Sequence, residues 1–195
     1  MKYFKALFCL TLLICVGVAG CSQKEEITSI NSIDTKELKK HSGTYVGDNS
    51  NVIAIVQALP GGETFKEIDL HNKAPKITYG TKDGSLSKDE TLKYWFDDQD
   101  TLKKIFLYNA IYLTLLVPNA EGYSFKVDDQ SFSISRDQME KFISKHIKSL
   151  PDSNELFQKE KTQQFIDDNK EKINSTVKSK TLRKQFFKDF PIIEK

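Results

Sequence analysis

The stretch from Thr101 to Val117 decides most of what this chain can become. Leu102, Ile105, Phe106, Leu107, Tyr108, Ala110, Ile111, Tyr112, Leu113, Leu115 and Leu116 leave it almost no polar face. A helix apolar nearly all round is stable only when other elements cover it, so this segment reads as the central helix of a domain, ended by Pro118. The rest of the chain must supply the cover, and composition limits how much there is. With the first twenty residues set aside, about a third of the remainder is hydrophobic, below the ~45–50% of an ordinary soluble domain. One modest core fits that supply. The same twenty residues hold 2 of the 29 basic residues and none of the 27 acidic ones, leaving 27 of each. A neutral chain lacks the clustered basic excess that drives nucleic-acid binding through counterion release, so no nucleic-acid partner is expected.

Those first twenty residues have their own logic. Lys2 and Lys5 precede an apolar run from Ala6 to Ala19, which has the charged start and apolar middle of a secretory signal and falls short of the ~20 residues needed to span a bilayer. The following Val18-Ala19-Gly20-Cys21 resembles the bacterial lipobox. That resemblance implies cleavage after Gly20, lipidation of the Cys21 sulfur, and localisation on the outer face of the cytoplasmic membrane. An uncleaved anchor helix, or plain secretion with an incidental cysteine, are the competing readings. Cys9 and Cys15 lie in the leader, so nothing after Cys21 can form a disulfide or a thiolate site.

Residues 21–40 read as a polar tether, with a short helix over Asp34–Lys40 that Asp34 caps. The domain is expected over 41–150. Asn49 or Ser50 can cap a helix carrying Val52, Ile53, Val56 and Leu59, stopped by Pro60-Gly61-Gly62. Phe65–Leu70 and Lys76–Thr81 read as strands, with Lys82-Asp83-Gly84 as a turn. Leu92–Phe96 alternates but is too short to assign. Tyr123–Val127 and Ser131–Ile134 flank a turn and suggest a hairpin, and Ser135 with Gln138 has the spacing of a capping box opening a helix with Met139, Phe142 and Ile143 on one face. Beyond Pro151, residues 151–195 form a charged helical extension with Leu182, Phe186, Phe187 and Phe190 on one stripe. The expected fold is α+β: a small, mainly antiparallel sheet of four or five strands, about three packed helices, and that extension.

The run Thr44-Tyr45-Val46-Gly47-Asp48-Asn49-Ser50-Asn51-Val52, with Leu59-Pro60, Asn109-Ala110, Asn119 and Ser135-Arg136, resembles an uncharacterised extracytoplasmic domain of Bacillus-type lipoproteins that is also attached to some BlaR-type sensor metallopeptidases. The resemblance covers about residues 41–147. It departs where the family often has Pro-Tyr-Gly, since Pro75 is followed here by Lys76-Ile77-Thr78-Tyr79. It implies an outward-facing sensing or interaction module. The low arginine content, 2 of 29 basic residues, is compatible with an AT-rich Gram-positive source.

Chemistry-bearing residues are few. His41, His71 and His146 show no ligand spacing and no nucleophile motif, so neither metal nor cofactor is expected, nor enzymatic activity. Asp97, Asp98 and Asp100 lack the glycine and distal glutamate of a calcium loop and read as compensation of the helix dipole. If a ligand or partner site exists, Tyr45, Asp48, Asn49 and Arg136 are its candidates, because a helix start exposes backbone N–H groups. Capping explains most of the same residues. The expected function is non-enzymatic binding or sensing of a partner or ligand in the cell envelope. Alternatives are a hydrolase acting on wall material, using Asp97, Asp98 or Asp100, and a small-molecule-binding lipoprotein. For the tail, residues 172–190, contact with anionic lipid or wall polymer competes with docking of the phenylalanines on the protein's own domain.

Overall fold

The computed structural model describes residues 26–81, 86–98 and 100–194. The leader, Cys21 and the Lys82-Asp83-Gly84 turn lie outside the described residues. Among those described, eight α-helices and five strands form one α+β domain. The helices are α1 (Thr35–Lys40), α2 (Asn49–Ala58), α3 (Lys88–Phe96), α4 (Thr101–Leu116), α5 (Arg136–His146), α6 (Ser153–Leu156), α7 (Lys159–Lys178) and α8 (Lys180–Asp189). The strands are β1 (Phe65–Asp69), β2 (Lys76–Tyr79), β3 (Gly122–Val127), β4 (Gln130–Ser135) and β5 (Ile193–Glu194). No described helix is long and apolar enough to cross a membrane.

The sheet runs β1-β2-β3-β4-β5. Every pairing is antiparallel except β2 with β3, because α3 and α4 carry the chain across between these two strands, a parallel pairing that no hairpin can make. Ile77, Tyr79, Phe125, Val127 and Phe132 turn inward and are buried. On the other face Ser124 and Ser133 sit opposite each other with their hydroxyls 2.8 Å apart, so one side of the sheet is core and the other polar.

Helix α4 is the buried axis the sequence demands, with thirteen of its sixteen residues inaccessible. Phe106 stacks on Phe125 and Phe132 at 5.4 and 6.0 Å, which seats α4 on the sheet. Its remaining sides are covered by α3, α5, α7 and α8. Asn109, buried in mid-helix, donates through its amide nitrogen to the Pro60 carbonyl (3.2 Å) and the Tyr79 hydroxyl (3.1 Å), while its Oδ1 has no hydrogen-bond partner among the described residues.

At the edges of the domain one open assignment is decided and two expectations change. First, Leu92–Phe96 is part of α3: Ser87 and Glu90 form a capping box, and Thr91 and Trp95, four apart, point inward. Second, the tether expected over 21–40 ends earlier, because from Thr28 onward the chain is bound. The Thr28 carbonyl accepts from Gly61 N–H (3.1 Å) and the Tyr94 hydroxyl (2.7 Å), Leu38 is fully buried, and Lys39 pairs with Asp167 at 2.6 Å. Asp34 does cap α1. Third, residues 151–195 are no appendage. Phe165, Ile166, Ile173, Val177, Phe186 and Phe187 are buried in the same core as α4, and Phe186 and Phe187 pack on Phe132 at 5.9 and 5.2 Å. The phenylalanine stripe thus docks on the protein's own domain.

Candidate functional site

The residues singled out in the sequence gather around the carboxyl end of α4. The last turn of any helix leaves carbonyls without partners, and at α4 two of these are met by the motif residues. Thr44 N–H donates to the Leu116 carbonyl (2.9 Å), and Arg136 Nη1 donates to the Val117 carbonyl (3.1 Å) and to the Tyr123 hydroxyl (3.3 Å). A guanidinium is well matched to this place, where the helix dipole is negative and several acceptors converge. Arg136 is 9% exposed and its Nε pairs with Glu140 at 2.6 Å. Asn119, on the turn that follows α4, accepts from Val46 N–H at 2.9 Å.

The loop 43–48 is therefore pinned on both sides of Tyr45. Gly43 takes φ +78°, and a Cβ there would meet the Phe157 carbonyl oxygen at 2.6 Å, so glycine is needed for α6 to approach. Asp48, and neither Asn49 nor Ser50, is the cap of α2: it accepts from Asn51 N–H at 3.1 Å and from the Asn51 amide at 2.7 Å. These bonds hold the Asp48 carboxyl below its ordinary range. His41 Nδ1 lies 2.9 Å from Asn51 Oδ1 and completes the corner. Tyr45 is 61% exposed, yet its ring stacks on Phe157 with centroids 4.3 Å apart.

The structure thus brings Tyr45, Asp48 and Asn49 onto one exposed ledge and places Arg136 beneath it as support. Among the described residues, none of the four lines either of the two open spaces found near the other end of the central helix. The larger open space, about 1280 Å³, lies at the opposite end of α4, walled by Asp97, Asp98, Asp128 and Asp129 on one side and by Lys180, Lys184 and Lys188 on the other. Asp98 there accepts from Asp100 N–H (3.1 Å) and from Lys104 (3.0 Å), and these contacts lower its pKa. A carboxyl serving as a general acid needs the reverse shift. Asp100 binds Arg183 at 2.7 Å and makes no side-chain cap of α4, so its charge serves a tertiary contact more than the helix terminus. Tyr79, Tyr94 and Tyr108 are pushed up mainly by burial in the core. Among the described residues no group of three or more His, Cys, Asp or Glu could hold a metal ion.

Arg183 belongs to no motif of the sequence, yet the sequence carries a signal for it. The chain has 29 basic residues of which two are arginine, and both are buried against backbone carbonyls. Where lysine is the default, an arginine marks a planar, multidentate contact.

His146 stands on the rim of α5, its ring 4.8 Å from that of Phe142. Burial first, then Lys145 and Lys172, lower its pKa below the ordinary 6.5. Below pH 6.5 the unfolded chain therefore binds the proton more readily than the folded one. Its contribution to stability is present above pH 6.5 and declines as the pH falls through the window beneath it. An NMR titration of the imidazole ring protons is expected to give a midpoint below 6.5; one at or above 6.5 would contradict the packing described.

The family model described as a domain of unknown function, DUF4825, matches residues 38–139, from α1 into the first turn of α5. No curated protein and no solved structure matches the chain. The matched region covers just over half of the 195 residues and includes the whole Tyr45 ledge, the central helix and its Arg136 support. The chain belongs to the DUF4825 family.

Proposed function

We propose that this is a lipid-anchored extracytoplasmic protein, held at the outer face of the cytoplasmic membrane through Cys21, that binds or senses a partner in the cell envelope without catalysing a reaction. The lipobox-like Val18-Ala19-Gly20-Cys21 supports the anchor. Acyl chains on one cysteine hold a protein to a bilayer, since each buried methylene contributes about 0.8 kcal/mol. The likeness to modules attached to BlaR-type sensors supports an outward-facing recognition role.

The observation that carries the binding reading is Tyr45. An exposed aromatic ring ordinarily loses rotamer freedom when a partner docks on it. Here the stack on Phe157 and the hydrogen bonds of Thr44 and Val46 on either side fix it beforehand. A large ring held in place at the surface is the kind of residue that dominates recognition, and Asp48 and Asn49 give the ledge a polar rim.

Replacing Tyr45 with Ala should leave the melting temperature within a few degrees of wild type and remove the partner captured by proximity crosslinking in the living envelope, while Tyr45→Phe retains it. A Tyr45→Ala protein with an unchanged crosslinking profile would refute the ledge as the contact. For the anchor, Cys21→Ser should shift the protein from the membrane to the soluble fraction and remove the acyl mass.

A further inference from the structure

We infer that the domain rides on the membrane in one orientation, with the α3–α4 corner and α8 against the lipid surface and the Tyr45 ledge turned away from it. The inference rests on acylation at Cys21.

The clamp at Thr28 sets it. The Thr28 N–H donates to Glu63 Oε2 at 2.9 Å, its hydroxyl donates to the other oxygen of the same carboxylate, and its carbonyl accepts from Gly61 and Tyr94. Every polar group of this residue is engaged by the domain, so the chain leaves the domain surface at a fixed place. From Cys21 to Thr28 there are seven peptide steps, which span at most about 25 Å however they are arranged. A domain of this length is about 40 Å across. The connection is shorter than the body it holds, so the far side of the domain cannot turn to the bilayer. Had the chain been unbound as far as Lys40, nineteen steps of up to about 65 Å would have allowed any orientation.

What lies beside the exit point suits a lipid surface. Glu26 and Ile27 line a cavity with Tyr94 and Thr101, and that cavity shares Asp97 and Asp98 with the larger groove walled by α8. Lys180, Lys184 and Lys188 recur every four residues along that helix and are exposed. Among the described residues no carboxylate lies within ion-pairing distance of them. Phe96 stands on the same rim, 38% exposed. The groove carries Asp98 and Asp100 beside Asp97, Asp128 and Asp129, five aspartates against four lysines, so charge does not orient this face; the short connection decides the orientation, and Phe96 and the exposed lysines meet the headgroups once it has. Helix α4 begins at Thr101 beside the exit and runs for sixteen residues to Leu116 beneath the ledge. That is about 24 Å of helix between the membrane side and Tyr45.

The mature chain carries its lone cysteine at the anchor, so an introduced one is the single free thiol. The acylated protein, labelled with an environment-sensitive dye at Phe96→Cys, Lys184→Cys, Ser50→Cys or Glu160→Cys, is placed in phosphatidylcholine vesicles with a quarter phosphatidylglycerol and a nitroxide-headgroup lipid. Labels at 96 and 184 should be quenched at least twofold and those at 50 and 160 hardly at all. The contrast should fall when Glu63→Ala opens the clamp, in protein whose circular dichroism and melting show it folded. Equal quenching at all four sites, or the reverse order, in protein whose mass shows the acyl chains would overturn the orientation alone. A mass without acyl chains would overturn the anchor itself and this inference with it.

Discussion

A chain ended at Leu150 is expected to be recovered as aggregate or as an unfolded species, although it contains the entire region that matches the family. The segment removed contributes seven buried apolar side chains: Leu156, Phe165, Ile166, Ile173, Val177, Phe186 and Phe187. At about 1.5–3 kcal/mol for each buried side chain, the burial lost is on the order of 10–20 kcal/mol. That is an upper bound, since the unfolded chain already hides part of this surface, but it matches or exceeds the ~5–15 kcal/mol by which a domain is usually stable. The damage extends to what remains. Phe132 and Phe142 lose their contacts with Phe186, and the α4 face packed on α7 opens to water. Comparing residues 26–150 with residues 26–195 by size exclusion and thermal circular dichroism tests this. A soluble monomeric short form melting cooperatively within a few degrees of the longer one would show that the extension is dispensable.

That prediction turns on a feature only half visible in the chain. The spacing of Leu182, Phe186, Phe187 and Phe190 announces an apolar stripe, but a stripe does not say what it covers. The deciding fact is that α4 is apolar all round and needs more cover than the strands and helices of residues 41–150 provide. The same reasoning explains other gains and losses. Central helix, hairpin and the capping box of Ser135 with Gln138 were legible because each is a local pattern that the structure keeps. Helix α3 carried an equally local signal in Ser87 and Glu90, but the alternation of Leu92, Tyr94 and Phe96 masks its helical spacing, and Trp95, one of the largest buried side chains, falls between them. The binding of residues 28–40 had no such signature. It depends on the hydrogen bonds of Thr28 and on a few apolar residues scattered through a polar run, Leu38 fully buried and Ile30 and Ile33 partly so, and neither backbone hydrogen bonds nor so sparse a set of apolar residues makes a periodic pattern. The parallel pairing of β2 with β3 was hidden for a related reason, since it joins strands more than forty residues apart.

At the ledge, the polar residues of the motif were legible and their roles were partly so. Asp48 and Asn119 serve the backbone of the loop. Arg136, grouped with them as a binding candidate, faces inward because α4 ends in carbonyls that need donors. A motif can therefore be dense because it builds one helix terminus. Tyr45 stands apart from its neighbours, since none of that architecture requires an aromatic ring in the solvent.

The opposite terminus of α4 supplies the second large effect. Arg183 is 1% exposed; its Nη2 meets Asp100 Oδ2 at 2.7 Å, its Nη1 donates to the Val177 carbonyl, and its Nε has no hydrogen-bond partner. Among the described residues this is the one ion pair joining α8 to the rest of the domain. Asp100→Ala leaves a guanidinium buried with a lone carbonyl for company and should cost about 3–5 kcal/mol. Arg183→Met should cost less, because the Asp100 side chain is 22% exposed and water can take over part of its solvation. The double variant Asp100→Ala/Arg183→Met removes both charges, so it should be more stable than Asp100→Ala alone, with a coupling of about 1–3 kcal/mol in the double-mutant cycle of these three variants followed by urea unfolding. Additive losses would mean that the two residues act separately. The asymmetry has a bearing on function. Lys180, Lys184 and Lys188 are carried on the helix that this pair secures, so Asp100→Ala protein, at temperatures where it is still folded, should lose part of the label contrast between positions 184 and 160 on vesicles. The charge-free double variant should keep it, because packing of Phe186 and Phe187 then holds α8 in place.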